Sequence, residues 1–199
     1  MSDDFDQYSE GDLAFTRSSP YGTQIEAMYS GATSFMRRRY TKDLNEVDVA
    51  VLGIPYDLAT SNRPGARFGP RAVRAASTQL SWARPWPWNF DPFNRLHVID
   101  YGDFVFDPGL PDKIPDAIES CVTQLVVKNV IPLSIGGDHF VTYPIIKALH
   151  AKHGPLSLIH FDAHSDLWPG YFDSKDTHGT PFRRALEEQL IDPSRSSQI

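Results

Sequence analysis

The chain has 199 residues, of which 41% are hydrophobic and 22% charged, proportions that are ordinary for a globular domain. Its net charge of -6 gives no basic surface for nucleic acid or an anionic membrane, so we expect neither as a partner. A single cysteine, Cys121, excludes an internal disulfide, and no apolar run reaches the ~18 residues that span a bilayer. These features predict a cytoplasmic protein.

Residues 1–22 are acidic and lack periodicity, so we expect a flexible arm there and a folded domain over residues 23–199. Apolar runs and helical spacings alternate along that domain. In chain order they predict a strand at 47–54, a helix at 70–80, a strand at 96–100, a helix at 113–129, a strand at 130–135, a helix at 142–153 and a strand at 156–161. This alternation predicts an α/β fold with a parallel sheet covered on both faces.

A cluster of candidate metal ligands follows the last of these strands. In an extended chain, side chains at alternate positions share a face, so Asp162, His164 and Asp166 point the same way. The strand before it ends at Gly136–Gly137–Asp138, and His139 comes next. Ligands of α/β proteins bind beyond the carboxyl ends of the strands, so these groups predict a metal site for two ions.

The chemistry of this cluster favours a particular kind of ion. Carboxylates outnumber imidazoles and no thiolate is near, which suits Mn2+ or a similar ion better than a structural zinc. The simpler interpretation is that Asp162 and Asp166 cap a turn and that His164 is a core histidine. The combined spacing at two strand ends favours the metal site.

Several strings of the sequence resemble the ureohydrolase (arginase) family. They are GGDHF at residues 136–140, DAHSD at 162–166, DTHGTPF at 176–182, GIPYD at 53–57, RPGARFGP at 63–70 and NFD at 89–91. The resemblance covers nearly everything from about residue 30 onward. It implies a three-layer α/β/α arginase-like domain that binds two Mn2+ ions and assembles into trimers or hexamers.

The resemblance also implies a role for each matching residue. His139 and Asp166 would bind the first ion, Asp162 would bridge both ions, and His164 would bind the second. His178 matches a histidine that transfers a proton near the leaving group. The implied reaction is hydrolysis of a guanidinium group to urea and an amine, which requires an activated water because the guanidinium carbon is weakly electrophilic.

Three nearby features each allow more than one interpretation. His160 shares a face with Asp162 but is more readily a buried or supporting residue than a ligand. Asp138 could support His139, contact substrate or simply form a turn beside two glycines. The loop 63–70 is either a turn leading into a helix or one wall of the substrate pocket.

The substrate implied by the resemblance is agmatine, giving putrescine and urea, with guanidinobutyrate or another guanidino acid as the alternative. Family members carry a further Asp-x-Asp ligand pair after a strand, whereas the Asp-x-Asp of this chain, Asp4 to Asp6, lies in the acidic arm. We therefore expect a domain truncated at its C-terminus, with four of six ligands. A truncated, non-catalytic form that binds metal is one alternative, and another metallohydrolase reaction on the same fold, such as deacetylation, is a second.

Overall fold

The structure is a computed structural model that describes residues 29–80 and 86–199. The arm expected at residues 1–22 lies outside them. The strands are β1 (Val49–Ile54), β2 (Val98–Asp103), β3 (Ile131–Gly136), β4 (Ile159–His160) and β5 (Ser197–Gln198). The α-helices are α1 (Gly69–Ser77), α2 (Ile114–Val126), α3 (Thr142–His153) and α4 (Pro181–Glu187). Every helix of the described residues is too short or too polar to span a membrane.

One compact unit comprises the described residues up to Gly53 and those of Pro70–Asp103 and Asn129–Ile135. It carries a sheet with strand order β2-β1-β3, in which β1 and β2 run parallel. Its apolar core includes Val51, Phe93 and Val98. The near-continuous burial of β1 agrees with a parallel strand that is covered on both faces.

A buried ion pair joins α1 to β2 inside this unit. The guanidinium of Arg74 donates from Nε to Oδ2 of Asp100 at 2.7 Å and from a terminal nitrogen to Oδ1 at 3.0 Å. The backbone N–H groups of Phe35 and Gly102 also donate to this carboxylate, at 2.7 and 2.9 Å. Asp100 is therefore buried with both oxygens occupied by donors and with a permanent cation beside it.

The second compact unit comprises Ile54–Gly69, Phe104–Lys128 and Gly136–Ile199. Here α3 packs against both α2 and α4. The buried core residues are Ile146, Phe182, Ala185, Leu190 and Ile191. Strands β4 and β5 pair in parallel, with Ile159 opposite Ser197 and His160 opposite Gln198.

The parallel strands and intervening helices confirm the α/β prediction. The helix expected at 142–153 has those bounds, and the others agree to within a few residues. The strand expected at 156–161 is regular only at Ile159–His160. Leu156 bonds to Leu190 and Asp192, and the 3-10 turn Pro193–Arg195 then interrupts the facing segment before pairing resumes at Ser197.

Candidate metal centre

The segment that carries His139 is fixed by its neighbours in the sequence. The carboxylate of Asp138 accepts the backbone N–H of Phe140 at 2.9 Å and so caps the 3-10 turn His139–Val141. Gly137 has a φ of 64°. A Cβ at Gly137 would lie 2.5 Å from the carbonyl oxygens of Ile54 and Tyr56, so only glycine permits this close approach of the chain.

Four side chains of the second unit converge on one point. They are His139, His160, Asp162 and Asp166, whose donor atoms all lie within 4.8 Å of one another. Nδ1 of His139 lies 2.5 Å from Oδ2 of Asp166 and 3.8 Å from Oδ2 of Asp162. Nε2 of His160 is 3.7 Å from the same Asp162 oxygen. The arrangement therefore offers two imidazoles and two carboxylates to a single position.

The burial of these groups supports a bound cation. Asp166 is 8% exposed and His160 is 7% exposed. Nε2 of His160 has no hydrogen-bond partner among the described residues, although it points towards Asp162. Within the same part of the chain, the ion pairs of Asp162 and Asp166 are with histidines and not with lysine or arginine. A buried carboxylate usually has a cationic partner, and a divalent ion would supply it.

His164, predicted as a ligand, lies beside the cluster rather than inside it. Its backbone N–H donates to Oδ1 of Asp162 at 2.9 Å, and its Nδ1 lies 3.2 Å from that oxygen. These bonds, the backbone bond first, lower the pKa of Asp162 below its usual value. The side chain of His164 is 82% exposed. His164 therefore touches one predicted ligand while facing outwards, and His160 occupies the inner position.

His178, the predicted catalytic residue, is held by the segment after Asp57. Its backbone N–H donates to the carbonyl of Ala59 at 3.2 Å, and its Nε2 lies 2.8 Å from the hydroxyl oxygen of Ser61. Ser61 lies 117 positions away in the sequence, so sequence reasoning gave no sign of this contact. Two hydrogen bonds thus fix the backbone and the ring of His178 against one loop.

Asp138 ties that loop to the turn that carries His139. Its backbone N–H donates to the carbonyl of Tyr56 at 2.7 Å, and its Oδ2 accepts the N–H of Ala59 at 3.0 Å. Burial raises the pKa of this carboxyl group to about 6, partly opposed by the N–H groups of Phe140 and Ala59. Of the interpretations open for Asp138, support of the His139 segment is the one that these contacts favour.

The loop 63–70 is organised by a second carboxylate, Asp57. Its side chain is buried and accepts the N–H of Gly65 at 2.7 Å and Nε of Arg67 at 2.7 Å. The hydrogen bond from Arg67 is the main reason that the pKa of Asp57 lies below its usual value. Because residues 59 and 61 of the adjoining segment contact His178, the pocket-wall interpretation of this region remains a hypothesis with a physical basis.

Comparison with known proteins finds a family model and a curated relative that each match most of the chain. Residues 47–199 match the arginase family. An agmatinase from Chromobacterium violaceum is 50% identical over 197 residues, which cover 98% of this chain and 61% of the relative. The chain thus spans about three fifths of the length of this curated relative.

Solved structures agree with that match. The crystal structure of a hypothetical agmatinase from Burkholderia thailandensis has a TM-score of 0.91 and 52% identity, covering 94% of this chain and 60% of that one. A formiminoglutamase from Trypanosoma cruzi, solved with Mn2+, has a TM-score of 0.70 and 28% identity, covering 80% of this chain and 54% of that one. The likeness extends across most of the described residues.

Proposed function

The chain belongs to the arginase family, and we propose that it contributes the larger part of a dinuclear manganese site that hydrolyses the guanidinium group of agmatine to putrescine and urea. The observation that carries this proposal is the convergence of His139, Asp162 and Asp166, where one buried and one partly exposed carboxylate meet imidazoles and no lysine or arginine of the described residues pairs with them. The name of the Chromobacterium relative supports agmatine as the substrate.

The residues of the centre fit divalent manganese. His139 and Asp166 would hold one ion, Asp162 would bridge, and His164 would hold the second after turning from its exposed position. This set has two carboxylates and two imidazoles, and its lack of sulfur disfavours a structural zinc. When bound, two such ions supply Lewis acidity and activate a water molecule for attack on a poorly electrophilic carbon.

His178 is proposed to transfer a proton to the leaving group. Hydrolysis of a guanidinium group releases an amine, whose nitrogen must gain a proton as the carbon–nitrogen bond breaks. The ring of His178 is held at Nε2 by Ser61, whose hydroxyl can either donate or accept a hydrogen bond. The protein can therefore keep this ring oriented while its proton is exchanged.

The substrate is proposed to be a cation at both ends. The net charge of -6 favours attraction of agmatine over guanidinobutyrate, whose far end carries a negative charge. This long-range effect acts on encounter rates and is weakened by salt. Comparing the two substrates at low and high salt would therefore separate attraction by the whole chain from recognition within the pocket.

The decisive experiment joins this chain to the part of the Chromobacterium relative that it does not match, and measures urea with Mn2+ and agmatine. We expect manganese-dependent urea from this chimera. Replacement of His178 by Asn should lower the rate by about 10²–10⁴-fold, the usual contribution of a general acid or base. His153→Asn, an exposed histidine at the end of α3, is the matched control and should leave the rate unchanged.

Two results would overturn the proposal. One is a folded chimera that releases no urea from agmatine although the intact relative does so under the same conditions. The other is equal activity in the His178→Asn and His153→Asn chimeras, which would remove His178 from the reaction. If the chimera hydrolysed guanidinobutyrate in preference to agmatine, the proposed reaction would stand but the proposed substrate would be wrong.

A further inference from the structure

The side chain of Gln198 contacts the candidate metal centre through His160. Its amide nitrogen lies 2.8 Å from the carbonyl oxygen of Ser165 and 3.1 Å from Nδ1 of His160. A carbonyl oxygen can only accept a hydrogen bond, so the group facing Ser165 must be the amide NH₂ and not the amide oxygen. The second hydrogen of this NH₂ group is then available to Nδ1 of His160.

This contact determines which nitrogen of His160 carries the proton. Nδ1 can accept from Gln198 only through its lone pair, so the neutral ring must carry its hydrogen on Nε2. Nε2 is the buried nitrogen that points towards Asp162, at 3.7 Å from Oδ2. A nitrogen that carries a hydrogen cannot bind a metal ion but can donate to a carboxylate.

We infer that Gln198 is a positioning residue that holds His160 in its Nε2–H tautomer, so that His160 orients Asp162 and is not itself a metal ligand. The inference rests on the proposed metal site and deepens it. It distinguishes His160, which lies inside the cluster, from His164, whose exposed ring would supply the ligand nitrogen. His160 would then direct its Nε2–H at the carboxylate of Asp162 across 3.7 Å and favour the position of that ligand electrostatically, as groups beside metal ligands often do.

The surroundings of His160 fix the orientation of its ring, which keeps Nδ1 facing Gln198. Its ring packs against that of Phe182, with centroids 4.5 Å apart, and against that of His139 at 5.3 Å. On the backbone, β5 fixes Gln198 opposite His160, and the N–H of Ile199 donates to the carbonyl of His160 at 2.8 Å. A flip of the ring would therefore require movement of packed neighbours.

The test is proton–nitrogen correlation spectroscopy of the isotope-labelled, metal-free chain in mildly alkaline buffer, which distinguishes the two histidine tautomers directly. The signals of His160 are assigned by their loss in His160→Gln. We expect the Nε2–H pattern in the wild type. In Gln198→Glu a carboxylate would accept from the ring, so the major form should change to Nδ1–H. Gln124→Glu, the same change at an exposed position of α2, should leave the pattern unaltered.

An Nδ1–H pattern in the wild-type chain would overturn the inference, and this result does not depend on whether Gln198→Glu folds. An unchanged pattern in a folded Gln198→Glu chain would overturn it as well. Because the spectra require neither metal nor substrate, failure here is distinguishable from failure of the proposed hydrolysis. Manganese titrations give a second readout, in which His164→Gln should weaken binding more than His160→Gln; the reverse order would make His160 the ligand.

Discussion

Two groups of carboxylates in this protein differ in how their negative charge is balanced. Asp100 is fully buried, and Arg74 together with two backbone N–H groups satisfies it. Asp162 and Asp166 instead face histidines, and their ion pairs among the described residues include no lysine or arginine. The first arrangement is complete within the chain and stabilises the fold. The second has the composition of a site that an added cation completes.

The largest expected effect comes from breaking the complete pair. Arg74→Met leaves the Asp100 carboxylate buried without its cation, and removal of one member of a buried pair costs about 3–5 kcal/mol of unfolding free energy. Urea denaturation measures this loss. Arg71→Met, on the exposed face of the same helix, is the control and should change stability by only about 0.5 kcal/mol. Equal losses in both variants would show that Asp100 does not depend on Arg74.

Asp138 lies between these extremes, since two backbone N–H groups donate to its carboxylate but burial still raises its pKa from the usual 3.8 to about 6. Between these two values the folded chain holds a proton that the unfolded chain has released, so its contribution to stability is complete below about pH 4 and is lost as the pH rises towards 6. The difference corresponds to about 3 kcal/mol.

The measurement is the unfolding free energy of the wild type and of Asp138→Asn over this pH range. Subtracting one profile from the other removes the titration of the histidines that both proteins share. We expect the stability of the wild type to fall relative to the variant as the pH rises. A difference that stays constant, or one of the opposite sign, would contradict a raised pKa for Asp138.

The smallest effect concerns the incomplete cluster and depends on added metal. At a free Mn2+ concentration about 100 times the dissociation constant, binding to the folded state should stabilise the wild type by about 2.7 kcal/mol. Asp162→Asn should lose most of this gain but little stability in metal-free buffer, because its side chain is partly exposed. Thermal unfolding with and without Mn2+ measures both quantities.

Asp173→Asn is the control for this experiment, because Asp173 is an exposed carboxylate in the segment that follows the cluster. It should retain the full stabilisation by Mn2+. A wild-type chain that Mn2+ does not stabilise, or an Asp162→Asn chain that gains as much as the wild type, would place Asp162 with structural carboxylates such as Asp100.

Much of the fold could be predicted because its signals are local. The apolar spacing of α2 and the run that forms β1 each depend on neighbouring residues, and both elements were located to within a few positions. Helix α4 was not predicted, although Pro181 at its first turn is a recognisable signal of a helix start. The short strand β4 was overestimated because hydrophobic runs do not reveal where a partner strand is interrupted.

The residue types of the candidate site could be read from a local pattern, since alternation along an extended segment places Asp162, His164 and Asp166 on one face. Folding then placed His160 inside the cluster and His164 outside it, and brought Ser61 to His178 and Gln198 to His160. The physical reason is that periodicity describes a segment relative to its own axis. Contacts between distant segments depend on how separate elements pack, and no local pattern encodes which side chains that packing brings together.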